Sequence, residues 1–238
     1  MTRVFARYEM HLAALTAVLL LAFASPTFAA DGIDFTYVEV GYSIDSTIEA
    51  YGQSYDSDDS YRVDGSYLFN PHVFATAQYY SAGYDVEGNS DFGLSGYSLG
   101  VGYKGRISST DAMPVEWFVV LSYEHNKTHS QLHDVNNDKG RDGGGLKAGI
   151  RAAVTDRLEL MVNAYQQSYG GDFLLRNGDL DGLSFELGGV LELRGNWSLT
   201  TSYRTGELDY LTLPNYPSRY KLELDRDEVF VGVRWAFE

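Results

Sequence analysis

The 238-residue chain contains no cysteine, which removes disulfides, thiolate metal sites and thiol nucleophiles together. Basic residues are scarce: 18 Lys and Arg stand against 33 Asp and Glu, a formal charge of −15. Nucleic acid is therefore not an expected partner, because gripping phosphates takes a basic patch. Proline is rare, five in all, and beyond Pro26 it falls at Pro71, Pro114, Pro214 and Pro217, outside any stretch of alternating apolarity. That is where it costs no ladder hydrogen bond. Long apolar runs are missing as well. The one over residues 12–24 is shorter than the roughly 20 residues a spanning helix needs. It follows Arg3 and Arg7 and precedes Ser25-Pro26-Thr27-Phe28-Ala29. Residues 1–29 thus read as a secretory signal peptide cut after Ala29, and residues 30–238 as one exported domain. Without a spanning helix, such a domain enters a membrane only as a closed barrel, since lipid satisfies no backbone polar group.

What the chain does have is period-two apolarity, ten times over. One face of each segment carries Thr36, Val38, Val40 and Tyr42; Tyr61, Val63, Gly65, Tyr67 and Phe69; Val73, Ala75, Ala77 and Tyr79; Tyr97, Leu99, Val101 and Tyr103; Trp117, Val119, Leu121 and Tyr123. The pattern continues with Leu146, Ala148, Ile150, Ala152 and Val154; Leu158, Leu160, Val162 and Ala164; Leu183, Phe185, Leu187, Gly189, Leu191 and Leu193; Trp197, Leu199, Thr201 and Tyr203; and finally Val229, Val231, Val233, Trp235 and Phe237. Each is close to the length of a tilted membrane strand, about 9–11 residues. The expected fold is an all-β, antiparallel, up-and-down transmembrane barrel of ten strands, or of eight if the weak first segment and one neighbour do not span.

Connections alternate in length. Asn70-Pro71-His72, Thr155-Asp156-Arg157 and Arg194-Gly195-Asn196 are tight turns, and residues 105–114 form a longer one. Between them lie polar stretches over 43–60, 81–95, 124–145, 167–182 and 205–227, read as outer loops opposite short periplasmic turns. Aromatics sort by end. Trp117, Trp197, Trp235 and Phe237 fall near the short turns, and Tyr42, Tyr61, Tyr79, Tyr97, Tyr123 and Tyr203 near the long connections. Two such levels suit the aromatic girdles where a barrel crosses the lipid interfaces.

The opening Asp31-Gly32-Ile33-Asp34-Phe35-Thr36-Tyr37-Val38-Glu39-Val40-Gly41-Tyr42, with Gly65-Ser66-Tyr67-Leu68-Phe69 and Leu99-Gly100-Val101-Gly102-Tyr103, resembles small outer-membrane β-barrel proteins of Gram-negative bacteria. The resemblance implies residence in the outer membrane, contact with its lipid and lipopolysaccharide, and insertion by the barrel-assembly machinery. In that family the machinery reads a last strand ending in an aromatic. Here Phe237 is penultimate and Glu238 follows it. The family shares no catalytic motif, so no active site and no cofactor carry over.

The opposite parity faces the expected lumen. Its acids are Glu39, Asp64, Glu159, Glu186, Glu192 and Glu228; its bases are Arg62, Lys104, Lys147, Arg151, Arg204 and Arg234. Equal numbers point to mutual pairing, since an unpartnered buried charge is expensive. The set reads either as an ion-pair network filling the barrel or as the lining of a narrow water path. Gly100, Gly102, Gly149, Gly188 and Gly232 also point inward and leave room for water in a barrel whose strand count lies near the filled limit.

The surplus acid lies in the polar connections, around Asp56, Asp58 and Asp59, then Asp134, Asn136, Asp138 and Asp142, then Asn177, Asp179 and Asp181. The last group matches the first half of an EF-hand loop, but Gly188 stands where the bidentate Glu belongs. His125, His129 and His133 recur every four residues, the spacing of one helical face and a possible zinc geometry, although this stretch reads as loop. His129-Ser130 and the pair Glu124 and His125 are the nearest approach to a hydrolase or protease site, and no third group orients them.

The expected function is a non-catalytic barrel, structural or forming a narrow pore for ions and small solutes, most simply a monomer. The alternative is a surface protein whose acidic loops bind divalent ions, lipopolysaccharide or host molecules. A lipid hydrolase or protease is the remaining class. The face assignment is directly testable: Leu121→Arg or Val162→Arg should cost about 2–4 kcal/mol in a lipid refolding titration. Changes at Ser122 or Asn163 should cost less, and equal tolerance on both faces would sink the assignment.

Overall fold

The computed structural model describes residues 33–50, 53–86, 90–107, 113–132, 135–169, 180–211 and 221–237. Ten strands follow in order: β1 (Tyr37–Ala50), β2 (Gln53–Leu68), β3 (Val73–Val86), β4 (Ser90–Arg106), β5 (Val115–Leu132), β6 (Val135–Ala153), β7 (Leu158–Tyr169), β8 (Leu180–Arg194), β9 (Trp197–Leu211) and β10 (Lys221–Ala236). Each pairs antiparallel with its chain neighbours, and β1 pairs with β10 to close the barrel. All ten segments take part, so the eight-stranded alternative falls away.

The strands are longer than the apolar pattern implied, from 12 residues in β7 to 19 in β6. Most of the stretches read as loops are paired hairpin. β5 and β6, for example, stay in register from Val115↔Ala152 to Leu132↔Val135. Polarity on both faces conceals such strands from a reading based on alternation, because above the apolar belt the outer face meets water while the inner face packs polar side chains. Asp56, Asp59, Asp142 and Asp181 thus lie in strands, and His125 and His129 lie in β5. His133, Asp134, Asn177 and Asp179 fall outside the described residues.

One parity of each strand is exposed and apolar, with Val40 at 51%, Val101 at 61%, Leu121 at 61% and Leu187 at 59%. The other is buried. Thr36 departs from this pattern: it precedes β1, is buried, and its hydroxyl accepts from the Leu68 amide at 3.2 Å. A bulge between Ser43 and Asp45 against β10 breaks the alternation of β1. It lets Ser43 and Ser46 both turn inward, where the Ser43 hydroxyl donates to the Val229 carbonyl at 3.2 Å.

The tight turns have local causes. Asn70 Oδ1 accepts from the His72 and Val73 amides at 2.9 and 3.0 Å, and Thr155 Oγ1 accepts from the Arg157 and Leu158 amides at 3.2 and 3.0 Å. Both are Asx/ST-type turns. Gly195 carries φ of 59° between β8 and β9, a left-handed geometry that glycine adopts without steric cost.

The inward glycines leave less room than their size suggests, because large residues on neighbouring strands fill it. Phe74 lies over Gly102, Phe118 over Gly149, and Met161 over Gly188. A Cβ at Gly100 would stand 2.7 Å from Val120 Cγ1 and 2.8 Å from Thr76 Oγ1. Pairing small with large is how small barrels fill their taper. Gly100→Leu should therefore sharply reduce the yield of heat-modifiable folded barrel on refolding, while the exposed neighbour change Leu99→Ile leaves it unchanged.

Candidate functional site

The interior is the part of the molecule where charge concentrates away from water, and it is organised in three levels. At the level nearest the short turns, the segment before β1 folds into the barrel mouth. Ile33 and Phe35 are buried with Phe74, Phe118 and Val120. The Phe35 ring meets Phe74 at 4.9 Å and Phe118 at 5.9 Å between centroids. Cations lie over the same ring: Lys104 Nζ and the Arg151 guanidinium each sit 4.4 Å from its centre. Both cations are paired, Lys104 with Glu116 at 2.8 Å and Arg151 with Glu159 at 2.5 Å, and Arg151 also donates to the Asp34 carbonyl at 2.8 Å. Burial raises the Asp34 carboxyl above its ordinary range, against the pull of Arg151 and Arg234.

The middle level is one connected ion network. Arg62 on β2 reaches Glu186 at 2.9 Å, Asp64 at 2.6 Å and Glu39 at 3.3 Å. Arg234 holds the other Glu39 oxygen at 2.8 Å, and Asn163 donates to Glu186 at 3.1 Å. Lys147 and Arg204 approach Glu186 from further off, at 3.7 and 3.5 Å. Arg62 also lies 4.5 Å over the Phe230 ring. Seven strands thus meet in a cross-barrel brace.

The third level lies toward the hairpin ends. Arg226 pairs with Glu228, whose carboxylate also accepts from Ser46 at 3.4 Å. Glu124, 1% exposed, is held by neutral donors: Ser122 at 2.5 Å, Tyr165, and Gln167 at 3.4 Å. Asn126 donates to Tyr80 at 2.6 Å, and Tyr169 and Ser168 are fully buried beside them.

Eleven of the twelve residues assigned to the lumen by parity lie at these levels; Glu192 does not. It is exposed at the end of β8, next to a bulge between Glu192 and Arg194, where inward parity no longer means enclosure. Sequence reading did not assign Glu116, Glu124 or Arg226 to the lumen, and placed Glu124 with His125 at the outer rim. The first is a polar residue beside a turn, and the others sit in stretches mistaken for loop. It missed Phe35 too, whose only signal was an aromatic just ahead of the first strand.

Outside, Trp197 stacks on Trp235 at 6.1 Å, Trp235 meets Phe237 at 4.4 Å, and Trp117 lies 5.9 Å from Tyr103. At the opposite level Tyr61 meets Tyr79 at 6.0 Å and Tyr97 meets Tyr123 at 6.2 Å. Tyr42 is exposed, and the Tyr203 hydroxyl donates to Asp227 at 2.9 Å. His125 stacks on Tyr97 at 5.1 Å and shares Asp142 Oδ1 with the Tyr123 hydroxyl, at 2.8 and 2.5 Å.

A closed sheet with an apolar outside, two aromatic levels and a charged inside is the form of a barrel that lives in a bilayer. Residues 15–188 match the family described as outer membrane protein beta-barrel domain, and the chain belongs to that family. Among solved structures, it is similar to neisserial surface protein A, at 15% identity with 84% of this chain and 96% of that one covered and a TM-score of 0.40. It is also similar to the translocator domain of the autotransporter NalP from Neisseria meningitidis (14%, 99% and 98%, 0.42) and to the outer membrane protease OmpT from Escherichia coli (9%, 90% and 99%, 0.47). No match is found among curated proteins.

The brace should be costly to break. Arg62→Met strands Glu39, Asp64 and Glu186 without their shared cation and is expected to lower stability by about 3–5 kcal/mol, the range for removing one side of a buried pair. Arg157→Met, in an exposed turn, should stay within about 0.5 kcal/mol. Denaturant titration of both variants in lipid vesicles checks this.

Proposed function

We propose that this protein is a non-catalytic outer-membrane barrel whose lumen is closed, so that its role is structural rather than conductive. The observation that carries this reading is the double closure of the interior. The Phe35, Phe74 and Phe118 cluster fills the mouth at the short-turn end, and the Arg62 brace crosses the middle. Between them and the third level remains a cavity of about 80 Å³, room for a few waters. On this reading the leader directs export, the barrel-assembly machinery inserts the chain, and the domain stands as a monomer in lipid and lipopolysaccharide. Against catalysis, among the described residues His125 hydrogen-bonds only Asp142, with Tyr97 stacked on its ring, and no hydroxyl nucleophile is hydrogen-bonded to it.

A second reading, surface interaction, draws on the hairpin ends. Asp45, Asp56, Asp59, Asp142, Glu207, Asp225 and Asp227 are all exposed there. Such a carboxylate ring would attract divalent ions and, through them, the phosphates of lipopolysaccharide.

Planar-bilayer recording separates the closed barrel from a narrow pore. The unaltered protein is expected to be silent, and Phe35→Ala alone should stay silent, because the Arg62 brace still crosses the middle. Steps from the unaltered protein would overturn the closed-lumen reading.

A further inference from the structure

The middle level does not balance. Its cations are Arg62, Lys147, Arg204 and Arg234, and its anions are Glu39, Asp64 and Glu186. Four stand against three, and the surplus localises on two side chains. Arg62 and Arg234 make hydrogen bonds to carboxylates. Lys147 and Arg204 make none among the described residues; both only share Glu186 Oε2, at 3.7 and 3.5 Å, and that oxygen already accepts from Asn163 at 3.1 Å. Both line the cavity of about 80 Å³, and the Lys147 side chain is 29% exposed although it lies within the barrel.

We propose that this cavity binds a small monovalent anion, of the halide or formate class, between Lys147 and Arg204. One negative charge would cancel the surplus and give both cations a partner at close range, which a low-dielectric interior rewards strongly. Ser122 and Tyr165 on the cavity wall direct their hydroxyls at Glu124, and Gln78 donates to Asp64, which leaves Lys147 and Arg204 as the donors for the anion. The one acid on that wall, Asp64, is engaged by Arg62 at 2.6 Å and by Gln78. The volume exceeds the ~30 Å³ share of one water, enough for a monatomic or triatomic anion. A doubly charged sulfate would replace a surplus of one sign with a surplus of the other. The inference concerns occupancy of the cavity and stands whether or not the barrel conducts.

The test uses the protein purified from outer membranes in detergent, first equilibrated in sodium sulfate, then titrated with sodium chloride or bromide at constant ionic strength. A saturable rise in the thermal midpoint is expected with either halide. Lys147→Met should abolish that dependence, while Arg157→Met keeps it. No halide effect, or the same effect in Lys147→Met, would overturn the site. Should Lys147→Met fail to fold, crystals of the unaltered protein soaked in bromide decide. An anomalous peak between Lys147 and Arg204 supports the proposal, and an empty cavity overturns it.

Discussion

Everything in this molecule depends on the pairing of its first strand with its last. An open sheet would leave a row of amides and carbonyls facing hydrocarbon, each costing several kcal/mol. Tyr37↔Ala236, Val38↔Trp235 and Val40↔Val233 remove that edge. The same register sets Glu39 directly opposite Arg234, so closing the backbone also completes the ion network. Gly41 opposite Gly232 keeps the seam thin on its inner side, where Phe230 and Arg62 occupy the space. Backbone closure and side-chain filling are thus one event seen from two sides.

Closure dictates what the interior holds. An ordinary core could be apolar throughout, but here apolarity is committed to the outside, and a sheet with two greasy faces would lose the contrast that fixes its register. Polar residues inside keep the inward parity unmistakable. Their cost is desolvation, which pairing offsets only when geometry is good. The brace meets that condition by sharing: Glu186 is approached by Arg62, Lys147 and Arg204, and Glu39 by Arg62 and Arg234. Because these partners come from β1, β2, β6, β8, β9 and β10, a slip of any of these six strands disturbs charges across the barrel.

How much of this could be read from the sequence follows the physics of each region. Within the belt, water and hydrocarbon impose opposite demands on successive residues. Val229 to Phe237 or Tyr97 to Tyr103 therefore reveal strand, face and neighbour at once, and both the ten segments and their closure were legible. Above the belt that contrast vanishes. Glu124 is as deeply enclosed as Glu39 and Arg226 is largely enclosed, yet their flanking residues are polar on both sides, so pattern alone placed them in loops. Glu192 errs the other way: alternation runs on past the end of the barrel, where inward no longer means buried. Phe35 was hidden for a different reason. Its burial comes from a segment that folds back into the barrel mouth, a tertiary event with no periodicity to report it.

On the closed-lumen reading, the three levels differ in how they exclude water. The short-turn mouth is closed by aromatic rings wedged between paired cations, so apolar contact and ion–ring attraction act on one side chain, Phe35. The far level is closed by hydroxyl and amide contacts around Glu124, where neutral donors stand in for a cation. The middle is closed by charge alone, and charge is the least tolerant of imperfect counting. An apolar cluster with a gap loses some contact energy, whereas an ion network one partner short carries an uncompensated charge in low dielectric. A surplus therefore concentrates wherever hydrogen bonding is weakest, which here is Lys147 and Arg204 beside the cavity. The packing of small against large residues around the barrel, Gly102 under Phe74 and Gly149 under Phe118, puts aromatic rings on one part of that cavity's wall and leaves the charge of Lys147 and Arg204 on another.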